Sequence, residues 1–134
     1  MENFADAAGR HWADAALLER EIRYDNADQL YGIAAECAIK AALVTAVTNC
    51  DAAGLKKAYK THINELWDRI APNAIPRHMA NLQPLLKIQN PYSDWSVDQR
   101  YNANGAVDAA TVERHRAMTR RLVSAVGVVG ARGI

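Results

Sequence analysis

The run "ADQLYGIAAECAIKAALV", from Ala27 to Val44, constrains the fold more than any other part of the chain. Leu30, Ile33, Ala34, Cys37, Ala41 and Val44 recur three or four residues apart, the spacing of a helix with an apolar face. The many alanines between them imply close packing against neighbouring helices. A central helix is therefore expected from Ala27 to about Thr48, with Asp25 or Asn26 as its cap and "NCDAAG" ending it. Other stretches carry the same period. Phe4, Ala8, Trp12, Ala15, Leu18 and Ile22 predict a first helix over about Asn3 to Ile22. Ile63, Leu66 and Ile70 predict a modest third helix, capped by Thr61 with Glu65 near the reciprocal position. "RHMANLQPLLKI" reads as a short helix broken at Pro84. Val112, His115, Met118 or Thr119, Leu122 and Val126 predict a last long helix over Ala106 to Val129. No strand-like alternation interrupts these patterns. The expected fold is all-α, an up-and-down bundle of four or five helices forming one domain over residues 1–134.

Bulk properties narrow the class further. With half of its residues hydrophobic and 23% charged, the chain belongs among ordinary globular proteins. Glu36 and Lys40 interrupt the longest apolar stretch, and "MENFADAAGR" lacks the regions of a signal peptide, so no membrane span and a cytoplasmic location are expected. Cys37 and Cys50 have no CxxC spacing and suggest neither a disulfide framework nor a zinc site. The net charge of +1 hides an asymmetry: residues 1–36 carry −5, residues 37–99 carry +2 and residues 100–134 carry +4. Opposite ends of this kind can seat the last helix on the first, pair subunits head to tail, or offer an anionic ligand a basic face.

Several constellations carry chemistry. Asp28, Gly32, Glu36 and Lys40 are four apart and predict one polar ridge beside a gap at Gly32, with Glu36 and Lys40 placed for an ion pair. His62 and Glu65, with Trp67 close by, have a spacing that can hold a metal ion or cap a helix. The four histidines form no HxH, HExxH or HxxxH pattern, and no P-loop, GxGxxG or GxSxG occurs, so no metal or cofactor is expected. Arg114, His115, Arg116, Arg120 and Arg121 predict a basic strip able to track phosphates or to pair with the acidic first helix. "NPYSDWSVDQRY", residues Asn90 to Tyr101, has too many aromatics for a linker and too many polar groups for core. It is expected to be an ordered loop anchored by Tyr92 and Trp95. In it Asp94 or Asp98 would hold Arg100 at the mouth of a groove, unless the aspartates cap the turns and Arg100 pairs with Glu36.

"LLEREIRYDNADQLYGIAAECAIKAALV", "HINELW" and "NPYSDWSVDQRY" before a final long helix together resemble the HEPN superfamily of small helical bundles, over roughly Ala13 to Val126. The motif "AAExxxK" is carried by Ala34, Ala35, Glu36 and Lys40, the histidine opening a short helix by His62, and the arginine–tyrosine pair by Arg100 and Tyr101. The resemblance implies a homodimer that binds nucleotides or RNA in the groove between its long helices. Many members are metal-independent ribonucleases with an arginine and a histidine four to six residues apart. No histidine here has an arginine at that distance: His62 has Lys56 and Lys57, and His115 has Asp108, Ala109 and Ala110. An arginine holds the scissile phosphate in a two-pronged grip that lysine does not reproduce. The expectation is accordingly a binding module for nucleotide, RNA or a neighbouring-gene protein, in a prokaryotic defence or toxin–antitoxin-like system, with Asp28, Glu36, Lys40, Asp98, Arg100, Tyr101 and Arg114 at the ligand. The alternatives are a ribonuclease with a rearranged centre drawn from Arg100, His115 and His62, and a structural helper subunit of a nucleotidyltransferase or other enzyme.

Overall fold

The computed structural model describes residues 2–45 and 54–127, so Cys50 and the expected end of the central helix at Thr48 lie outside the described residues. The last helix, expected over Ala106 to Val129, instead starts at Ala109 behind the Asp108 cap and ends at Ala125, where Val126 caps it and Gly127 turns the chain at φ 77°. Four α-helices occur among the described residues, α1 (Phe4–Arg20), α2 (Tyr24–Thr45), α3 (Ile63–Arg69) and α4 (Ala109–Ala125), with short 3₁₀ turns before α3 and between α3 and α4, and no strand occurs among these residues. The chain is an all-α bundle. No described helix is long and apolar enough to cross a membrane.

α2 is the core element: its residues from Ala34 to Val44 are all buried. Its contacts fix the directions of its neighbours. Glu19 meets Tyr31 and the Lys40 ammonium lies 6.0 Å from the Phe4 ring, so α1 runs antiparallel to α2. Asp25 bonds Val107, Asp28 bonds His115 and Tyr31 bonds Thr119, so α4 runs parallel to it. The charge asymmetry is used inside the chain: Arg116 of α4 donates to Glu19 of α1 at 2.6 Å, and the Tyr31 hydroxyl donates to the same carboxylate at 2.7 Å.

The differences from the sequence reading are local. Ile22 does not continue the α1 stripe. It stands just past the helix at φ 59°, 71% exposed, with its N–H bonded to Glu19 and the Arg23 N–H to Leu18, the αL termination that glycine usually serves. A three-residue link to α2 forces that reversal. Asp25 does not precede the central helix, which starts at Tyr24; its carboxylate instead takes the N–H groups of Gly105 and Val107 at 2.8 and 2.9 Å, pinning the loop before α4. Gly105 sits at φ 85°, which only glycine adopts cheaply. His62, not Thr61, is the residue before α3, and the Thr61 hydroxyl bonds the Glu65 side chain. "RHMANLQPLLKI" forms only 3₁₀ turns at Arg77–Met79 and Leu85–Lys87, because Pro84 removes a helix donor and too few residues remain on either side.

Candidate functional site

The segment from Asn90 to Tyr101 is ordered by side chains at each step. Asn90 donates to the Asn64 carbonyl of α3 at 2.7 Å and accepts from the Tyr92 N–H at 2.8 Å, turning the chain at Pro91. Tyr92 is fully buried, with its ring 5.9 Å from that of Trp67, and its hydroxyl lies 2.7 Å from Thr119 Oγ1. The Thr119 hydroxyl proton is committed to the Tyr31 carbonyl at 3.1 Å, so Tyr92 is the donor in that pair. Trp95, 1% exposed, lays its indole on Gly32 of α2 and donates to the Asp28 carbonyl at 3.0 Å. A Cβ at position 32 would fall inside the Trp95 ring, so the gap expected at Gly32 exists but is filled. Ser96 and Gln99 then form a reciprocal capping box on the 3₁₀ turn Val97–Tyr101.

Tyr92 and Trp95 enclose a buried charged relay. His115 of α4 is fully buried, with Nδ1 2.6 Å from Asp28 Oδ1 and Nε2 2.8 Å from Asp94 Oδ1. Each ring nitrogen faces a carboxylate oxygen, so each carries a proton and the ring is an imidazolium. Burial alone would lower the pKa of His115, but the hydrogen bonds and charges of Asp28 and Asp94 outweigh it and move the pKa up. The Tyr92 ring is stacked on the imidazole at 5.4 Å. Outside the relay, Arg114 grips Asp94 with both terminal nitrogens, at 2.6 and 3.3 Å. With His115 behind it, this guanidinium holds the Asp94 carboxyl down at about 2, and the pair raises Arg114 in turn. Gln99 completes the arrangement by donating to Asp28 Oδ2 at 2.9 Å.

A cleft of about 420 Å³ opens beside this relay, lined by Asp28 of α2, Asp94, Ser96, Asp98 and Gln99 of the segment, Asn102, and Thr111 of α4, with Ala106 and Val107 closing one wall. The lining is rich in hydrogen-bond acceptors and contains no lysine or arginine. Such a surface suits a ligand that presents N–H donors or positive charge, and it disfavours phosphate.

A second cluster lies further along α2. Glu36 accepts from Lys40 Nζ at 2.9 Å and contacts His62 Nδ1 at 3.0 Å. The Glu36 and Lys40 side chains are almost fully buried, while half of the His62 side chain is exposed. Glu36 thereby orients the ring and leaves Nε2 as the nitrogen without a bond among the described residues. His11 of α1 feels the Glu36 charge, and burial together with Arg10 moves its pKa down. Beside Glu36, burial pushes the Cys37 thiol up to about 12, a thiol inert at neutral pH.

The residues expected at one ligand groove are therefore divided. Each i+4 step overshoots a helical turn by about 40°, so Asp28 and Lys40 point roughly 120° apart and their ridge serves two sites. Asp28 and Asp98 line the cleft; Glu36 instead contacts His62 and holds Lys40. Arg100 is held by neither Asp94 nor Asp98 and does not pair with Glu36. Its guanidinium lies 4.8 Å from the ring of Tyr101, which is 74% exposed. Asp94 is taken by Arg114 and His115. Ser96, not an aspartate, caps the following turn. The basic strip is interrupted: His115 is core, Arg114 and Arg116 are claimed by Asp94 and Glu19, and Arg120 and Arg121 are exposed. His62 and Glu65 do not converge, since Glu65 bonds Thr61 and Arg69, and no group of three or more His, Cys, Asp or Glu among the described residues is arranged for a metal ion. Ser96, Gln99 and Thr111 were missed from the sequence; the S-x-x-Q capping pattern was the available signal for the first two. Comparison with known proteins finds no matching family model, curated protein or solved structure.

Proposed function

We propose that the chain is a HEPN-like recognition module without catalytic activity, whose ligand seats in the cleft between the start of α2, the 90–101 segment and the first turns of α4. The observation that carries this reading is the cleft itself: seven polar side chains converge on it, and none is an unengaged histidine, cysteine or lysine able to act as base or nucleophile. Its carboxylates suit the amino edges of a nucleotide base or the basic side chains of a partner protein. The family resemblance gains support from Glu36, which contacts two other residues of its motifs, Lys40 at 2.9 Å and His62 at 3.0 Å. A cytoplasmic homodimer serving a prokaryotic defence or toxin–antitoxin-like system, beside a neighbouring-gene partner, is part of the same proposal. The test is thermal melting with guanosine, adenosine, a short RNA or an arginine-rich peptide. One of these should raise the melting temperature of the wild-type chain, and Asp98→Asn should abolish the rise. A chain indifferent to all four sinks the reading.

One observation favours the second reading, a metal-independent ribonuclease. Glu36 presents His62 with Nε2 unbonded among the described residues, and Lys57 lies five residues upstream, a pairing able to take a proton and hold an anion. Arg100 with His115 is a poor centre by comparison, since both ring nitrogens of His115 are engaged inside the protein. RNA incubated with chelator should yield 2′,3′-cyclic ends, lost in His62→Ala, if this second reading holds.

A further inference from the structure

We infer that the second proton on His115 governs the Asp94 wall of the cleft: with the ring doubly protonated Asp94 is fixed by the buried ring and by Arg114 together, and with the ring neutral the half-exposed Arg114 pair alone holds it and the wall loosens. The functional meaning of this control rests on the cleft being a binding site, whereas the control itself does not.

A neutral imidazole has one N–H. It cannot donate to Asp28 and Asp94 at once, and the nitrogen that loses its proton would set a lone pair against a carboxylate oxygen at 2.6 or 2.8 Å. The two aspartates differ in what they can do about it. Asp28 is 1% exposed and also held by Gln99, so little of its carboxylate meets water. The Asp94 side chain is 47% exposed and shared with Arg114, so water can solvate it when the ring lets go. The remaining N–H therefore stays on the Asp28 side, and the bond lost is the buried one of the ties between Asp94 and α4, leaving the half-exposed Arg114 grip to hold that carboxylate.

The groups around the ring leave the proton little other support. From α2 only Asp28 faces it; from the segment come Asp94 and the stacked Tyr92 ring; on α4 itself, Arg114 reaches Asp94 and not the ring. Gln99 acts through Asp28. What stays in place after the bond is lost is equally defined. The Tyr92 hydroxyl on Thr119 and the Trp95 indole on the Asp28 carbonyl anchor both ends of the corner, so the release is confined to the turn between them. That turn is closed by the Trp95 N–H donating to the Tyr92 carbonyl at 3.0 Å. The Trp95 amide is thus a built-in reporter of the corner. The change also removes the positive charge that stands behind Asp94, so the charge a ligand meets depends on the proton held at His115.

The experiment is hydrogen exchange by NMR on the ¹⁵N-labelled full chain between pH 6 and 9.5, with the His115 ring nitrogens followed in the same samples. Corrected for the intrinsic pH dependence of exchange, protection of the Trp95 amide should fall roughly tenfold to a hundredfold as the ring titrates, while amides inside α2 keep theirs. In Asp94→Asn the Trp95 amide should already be weakly protected at pH 6 and show no step. A ring that titrates with no loss at Trp95 overturns the inference. So does a ring that stays doubly protonated through pH 9.5, or an Asp94→Asn chain that keeps the wild-type step. None of these outcomes depends on any ligand.

Discussion

Replacing His115 by alanine tests the buried relay at its centre. The substitution leaves Asp28, 1% exposed, with a carboxylate whose partners shrink to the Gln99 amide. Removing one partner of a buried, hydrogen-bonded charge pair costs about 3–5 kcal/mol, because the charge left behind is neither solvated nor paired. Loss of the ring stacked on Tyr92 adds about 1 kcal/mol. Asp94 contributes less, since half of its side chain is in water and Arg114 still holds it. The expected loss is about 4–6 kcal/mol, a third or more of the stability of a domain whose total is on the order of 5–15 kcal/mol. Urea denaturation at pH 7 reads it directly. Asp28→Asn removes the other charge, so the double variant should be more stable than the two single losses add up to, by roughly 2 kcal/mol. A His115→Ala chain that loses under about 1 kcal/mol, or a double variant that is additive, refutes the charged-relay argument.

Four further expectations follow from separate contacts. Gly32→Ala places a methyl group in the Trp95 ring and should cost about 1–3 kcal/mol with a shifted Trp95 emission spectrum, measured by fluorescence-monitored unfolding. Ile22→Gly relieves the left-handed residue at the end of α1 without uncovering buried surface, and calorimetry should show a gain of about 0.5–1 kcal/mol. Lys40→Met strands the buried Glu36 carboxylate and should destabilise by about 3 kcal/mol, a loss that Glu36→Gln in the same chain should largely recover. The pH dependence has two edges of opposite sign. Asp94, depressed to about 2 from 3.8, adds stability that is present above its unfolded pKa and lost as pH falls from about 4 to about 2. His115, raised above 6.5, adds stability that is full below that value and lost as pH climbs through its folded pKa. A urea midpoint flat from pH 2 to 10 contradicts both.

The helices were legible because a buried stripe writes its period into the sequence, and Ala8, Trp12, Ala15, Val112 and Leu122 all sit in the core. Tyr92 and Trp95 were legible as anchors because large aromatics in a short polar string have to be buried somewhere. The partners of the charged residues were not. Asp28 and His115 are 87 positions apart, and nothing local distinguishes a histidine in an arginine-rich helix that faces solvent from one that faces two aspartates. Arg100 shows the same limit: its nearest aspartates in sequence, Asp94 and Asp98, do not hold it, because Asp94 points to α4 and Asp98 borders the cleft. The Asp28 to Lys40 ridge looked like one groove because i+4 spacing is nearly, but not fully, one turn. Over three steps the drift is enough to send its two ends to different neighbours.

The most direct test of the recognition-module reading is chemical-shift mapping on the ¹⁵N-labelled chain titrated with a nucleoside or arginine-rich peptide that raises its melting temperature. The reading predicts that the shifted amides cluster at Ser96, Asp98, Gln99, Asn102 and Thr111, around the cleft, and that Asp98→Asn removes them. Shifts confined instead to Lys57, His62 and the Lys40 turn of α2 would contradict it and move the functional centre to the Glu36–His62 pair.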